Sequence, residues 1–126
     1  MTRLMIRVAL CAGILAPVAA YAGVALAPVM RSWNHERRQI DAMLSGRRPF
    51  DPAAVRDAIR IYVSDANMVA SHVNGSSSAA RDFADRFRQF AQTAAAAGQA
   101  SGSAAQFRPH FEKLMSECSA CHARFN

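Results

Sequence analysis

Two thiols and an imidazole stand within five residues of one another near the C-terminus: Cys118-Ser119-Ala120-Cys121-His122, a C-x-x-C-H run. On a helix, positions i, i+3 and i+4 share one face, so both sulfurs and the imidazole point the same way. Such a trio can do three kinds of chemistry. The thiols can add to the two vinyl groups of one porphyrin edge while His122 reaches the iron, which is covalent attachment of haem c. They can instead close a disulfide and cycle with a partner, although an all-helical chain lacks the βαβ setting of dithiol oxidoreductases. Or the three can contribute to a metal site, where tetrahedral zinc needs a fourth ligand that the run does not supply. Context favours the first chemistry, since the chain reads as exported and only these two cysteines remain once a signal carrying Cys11 is removed. One haem c is therefore the expected cofactor, bonded to Cys118 and Cys121 with His122 on the iron.

The third cysteine has different surroundings. Arg3 and Arg7 precede an uncharged apolar run, Val8 to Ala16, that contains Cys11, and Ala20-Tyr21-Ala22 then offers small residues at alternate positions. A positive start, an apolar middle and an A-x-A end make an export signal. Cleavage is expected after Ala22, giving a signal at residues 1–22 and a working domain at 23–126. The stretch without charge continues to Arg31, long enough at about 1.5 Å per residue to cross a bilayer. An uncleaved anchor over residues 8–30 is thus the alternative, weakened by Pro17 and Pro28. The domain is expected in the periplasm in either case, free or anchored in the inner membrane, and the membrane is a partner only in the second.

Composition fits one small globular domain. With 52% hydrophobic and 19% charged residues in 126, the chain is no disordered, solvating polymer. A net charge of +6 could suit a polyanion. Its basic residues are almost all arginines, however, and they are scattered without a run, the pattern of solvated helix faces. No nucleic-acid partner is expected.

The elements that must hold the trio in place read as four helices. No stretch alternates polar and apolar residues at period two. Helix one is expected from about Ala25 to Ser45, with Met30, Trp33, Arg37, Ile40 and Leu44 on one face, stopping at Gly46. Asp51-Pro52 starts helix two, a cap followed by proline in the first turn. That helix carries Val55, Ile59, Tyr62, Ala66, Val69 and Val73 and ends at Asn74-Gly75. Helix three, about Ala79 to Ala97, repeats the spacing with Phe83, Phe87, Phe90, Ala94 and Ala97. Helix four, about Gln106 to Phe125, presents Phe107, Phe111, Leu114, Cys118, Cys121 and Phe125, and Pro109 must fall in its first turn or kink it. Four amphipathic segments joined by short loops can bury their stripes only on each other. The expected fold is all-α, an antiparallel up-down-up-down four-helix bundle. Val69, Phe83, Phe87, Leu114 and Phe125 are the expected walls of the cofactor pocket.

The combination resembles a known family. A helical bundle with C-x-x-C-H close to its C-terminus, an aromatic three residues after the histidine (Phe125), and the turn Gly46-Arg47-Arg48-Pro49-Phe50-Asp51, similar to a G-x-x-P-(Y/F)-D turn, resemble the class II c-type cytochromes. These are cytochrome c-prime and its low-spin relatives, and the resemblance spans nearly all of residues 23–126. It implies a monohaem protein that is not an enzyme, and it makes function depend on what faces the iron opposite His122. Cytochrome c-prime has an apolar, non-ligating residue there and binds NO or CO; the low-spin relatives place a Met there and carry electrons. Counting back 20 residues from Phe50 lands on Met30, the family's distal position. Antiparallel helices also bring the start of helix one beside the end of helix four, where Met68, His72 and His35 compete and Met43 and His110 do not. A thioether opposite His122 raises the potential relative to two nitrogen ligands.

The resemblance therefore implies single-electron transport in the periplasm by a low-spin His122/Met30 haem, serving redox partner proteins, with a homodimer formed through the first two helices. A five-coordinate NO or CO binder is the first alternative and a haem-free thiol protein the second. Two features depart from the family. The connection between helices two and three is short, and Asn126 stands where a basic residue is common, with Arg124 two residues after His122 instead.

Overall fold

A computed structural model describes residues 18–125 and contains four helices: α1 (Leu26–Leu44), α2 (Pro52–Ser71), α3 (Ser78–Gln99) and α4 (Ala104–Phe125). A 3-10 turn, Val18–Ala20, precedes them. Residues 1–17, with most of the expected signal, the first part of the alternative anchor and Cys11, lie outside the described residues, as does Asn126. No helix among the described residues is long and apolar enough to cross a membrane.

Helix ends follow from local chemistry. The Asp51 carboxylate accepts from the N–H groups of Ala53 and Ala54 at 3.0 and 3.3 Å, and Pro52 needs no acceptor in the first turn of α2. Ser77 caps α3 by accepting from Ala80 N–H at 3.1 Å, and Ser103 does the same for Gln106 at 3.2 Å ahead of α4. At the end of α1 the chain turns through Gly46, whose φ of +78° lies in the region that glycine enters without steric cost.

Each helix packs on its neighbours in the chain and α1 closes on α4, the α2–α3 interface being the most extensive. Short connections make successive helices antiparallel. One hydrogen bond shows the result: Arg108, near the start of α4, donates to the Leu44 carbonyl at the end of α1 at 2.7 Å. The all-α four-helix bundle is thus the fold. Its centre is aromatic. Trp33 of α1 stacks on Phe90 of α3 at 4.5 Å between centroids and meets the edge of Tyr62 of α2 at 5.5 Å. Both polar tips are satisfied: Tyr62 O–H donates to the Trp33 carbonyl, and Trp33 Nε1–H to Asp65, each at 3.0 Å.

The expected stripes of α2 and α3 are buried with one exception, and three details are corrected. α2 ends at Ser71, so Val73 lies in the connection beyond it, half-buried. Arg37 is exposed on α1, bonded to Asn34 at 2.7 Å and paired with Asp41 at 3.4 Å; Val29, Trp33, Ile40 and Met43 are the buried residues. α4 begins earlier than expected, at Ala104, which places Pro109 in its second turn. The proline removes a donor near the exposed Ala105, where water can serve the carbonyl instead. A final feature lies ahead of α1: Tyr21 and Ala22, the last residues of the expected signal, are 7% and 2% exposed.

Candidate functional site

The first half of α4 fills the core with Phe107, Phe111 and Leu114, whereas no residue from Met115 to Phe125 is buried. Cys118 and Cys121 are half-buried free thiols and His122 is exposed. All three line one cavity that is partly open to solvent. Its apolar walls come from Met30 and Trp33 of α1 and from Phe87 and Phe90 of α3. Its polar groups are Arg86 and Gln89 of α3 and Glu117 of α4. His122 also borders a groove with Arg37 and Met115, so the imidazole sits between a cavity and the surface.

The electrostatics follow from this half-enclosure. Burial pushes the Cys118 thiol up to about 11, the neighbouring Cys121 and Glu117 adding to it. Cys121 is raised too, chiefly by burial. Glu117 accepts from Thr93 Oγ1–H through Oε1 at 2.7 Å, while its Oε2 is buried without a partner. Arg86 is the one Lys or Arg among the lining residues, 3.7 Å from Asp82, which also pairs with Arg124 at the end of α4. That second pair ties the end of α4, two residues past His122, to α3.

The expected site residues divide. Met30, Phe87, Cys118, Cys121 and His122 come together around the cavity. Val69, Phe83 and Leu114 are core residues, 0%, 2% and 0% exposed, and Phe125 is half-buried with its edge on Phe83 at 5.3 Å. Of the competing donors, His72 binds the Met68 carbonyl through Nδ1 at 2.8 Å, His35 is exposed, and neither these nor Met68 line the cavity. Sequence reasoning did not anticipate Trp33, Arg86, Gln89, Phe90 or Glu117 at the site. Spacing carries a signal for two of them: Trp33 follows Met30 by three and Phe90 follows Phe87 by three, the next step along the same helix faces.

A family model described as Cytochrome C' matches residues 27–126. The chain belongs to the cytochrome c' family. Neither a curated protein nor a solved structure matches it significantly. Proteins of the cytochrome c' family carry covalently attached haem c, typically one per chain, and act as electron carriers or gas binders rather than classical enzymes. The residues present fit the group. Two unpaired thiols one helical turn apart and a histidine on the next residue open onto a single, largely apolar cavity. Membership of a haem-carrying family sets aside the haem-free thiol protein. Cys118 and Cys121 would hold the porphyrin edge, and His122 would supply the nitrogen ligand.

Proposed function

We propose that this cytochrome c' family member is a periplasmic single-electron carrier whose iron is ligated by His122 and Met30. One observation carries the reading: among the cavity-lining residues, Met30 is the only thioether and the only iron-ligating donor contributed by a helix other than α4. Bound haem supplies the one-electron couple of its iron. The chain's own residues do the rest. Trp33, Phe87 and Phe90 would keep water from the part of the cavity that Met30 lines, and Trp33 stacks on Phe90 in that wall. Four helices joined by short connections hold the two ligand-bearing elements, α1 and α4, at one separation, so little needs to rearrange when charge changes. His122 and the surface groove beside it leave the attachment edge open to a docked redox partner. No acid, base or nucleophile is required.

The visible spectrum of the reduced protein, made in a host that attaches haem, tests this. Sharp, resolved α and β bands are expected, and Met30→Ala should convert them to a broad high-spin band. A broad band in the unaltered protein would overturn the assignment of Met30 and favour NO or CO binding at a five-coordinate iron.

A further inference from the structure

The family match begins at residue 27, yet the chain just ahead of it is built into the bundle. Tyr21 sets its ring edge-on against Phe83 of α3, centroids 5.4 Å apart, and Phe83 in turn meets Phe125 of α4 at 5.3 Å. The Tyr21 carbonyl accepts from Asn74 N–H at 2.8 Å, satisfying an amide in the α2–α3 connection. Gly23 then crosses the end of α2 at φ +71°, so closely that a Cβ there would lie 1.7 Å from the His72 carbonyl oxygen. Three independent features therefore fasten one short segment: a buried ring, a backbone hydrogen bond and a glycine that no other residue can replace. They bind it to α2, to α3 and, through Phe83, to the residue three beyond His122.

A chain cut after Ala22 would discard the ring and the carbonyl, expose Phe83, and leave Gly23 in a conformation that nothing requires. We propose that Tyr21 stays in the mature protein and that residues 21–25 form a strap closing the Phe83–Phe125 flank of the bundle end that carries Cys121. Signal removal then falls at or before the Ala20–Tyr21 bond. Val18-Ala19-Ala20 offers the small residues such a cut needs. Hydrolysis there adds one water, leaving a carboxyl on Ala20 and an amine on Tyr21. The processing step rests on the periplasmic part of the reading above; the strap itself rests on geometry alone.

The experiment is the intact mass of the full gene product from the periplasmic and membrane fractions of a host that attaches haem. A chain starting at Tyr21 or upstream is expected, and a start at Gly23 or later overturns the proposal. Uncleaved chain found in the membrane fraction alone would put Tyr21 inside the anchor over residues 8–30, away from Phe83, and so overturns both the strap and the soluble-carrier reading. A mass without haem would sink the cytochrome reading and leave the N-terminus equally legible. Thermal melts of Tyr21→Ala and Tyr21→Phe complete the test. Loss of the ring should lower the midpoint by several degrees, and the phenylalanine should restore it, because the ring and not the hydroxyl makes the contact. A Tyr21→Ala melt identical to the unaltered protein's overturns the strap.

Discussion

Along α4, one stripe of residues serves two different ends. Phe107, Phe111 and Leu114 are 0%, 3% and 0% exposed and meet the other helices directly, whereas Cys118, Cys121 and Phe125 continue the same spacing with none buried. The periodicity does not change at the join; the side-chain types do. Bulky hydrocarbon gives way to sulfur and imidazole, which are too small to reach across and leave a cavity bounded by α1 and α3. The difference teaches that a single amphipathic face can be half core and half receptor. The packed half is held by buried hydrocarbon, and the open half by a few contacts at its margins, Glu117 with Thr93, Arg124 with Asp82 and Phe125 on Phe83.

The sharpest way to break that comparison is to remove the tether. Replacing both thiols, Cys118→Ala with Cys121→Ala, should abolish covalent haem entirely, read as loss of haem stain on a denaturing gel; either single variant keeps one thioether and keeps the stain. Next in size is a matched pair of truncations, one per half. Leu114→Ala should cost about 2–5 kcal/mol in denaturant unfolding, because it empties fully buried space. Ser119→Ala, exposed one turn further on, should stay within about 0.5 kcal/mol. Equal losses would erase the distinction between the halves.

The smallest effect concerns the packed core itself. Burial raises the Tyr62 phenol well above its ordinary range. The unfolded chain therefore releases this proton at a lower pH than the folded one, so stability is intact below about pH 10 and falls as pH rises further. Tyr62→Phe should cost about 1 kcal/mol at neutral pH through the lost bond to the Trp33 carbonyl. The same variant should flatten the alkaline decline, checked by melts across pH 8–11.

How far the sequence could be read depended on how many fates each residue type has. The stripes of α2 and α3 were legible because phenylalanine, valine and isoleucine at spacings of three and four have one place to go. Arg37 fitted the spacing of α1 equally well, but partners on its own helix, Asn34 and Asp41, hold it outside. The start of α4 was misplaced because Pro109 attracts a boundary, while the true cap, Ser103, is one serine in a loop of small residues. At the site, C-x-x-C-H was legible since its spacing is the chemistry. Arg86, Gln89 and Glu117 were not: a polar residue flanking an apolar stripe is ordinarily solvated, and only the approach of α4 to α3 half-buries Arg86 and Glu117, while Gln89 lines the cavity and stays exposed.

The position of the thiols late in α4 also fixes an order of events. A chain delivered from its N-terminus presents α1, α2 and α3 before Cys118, and the extensive α2–α3 pairing joins neighbours in sequence. The attachment sequence thus arrives last, after the helix whose Phe87 and Phe90 wall the cavity. Cys118, Cys121 and His122 are therefore the last of the site residues to be delivered, after every helix that walls the cavity.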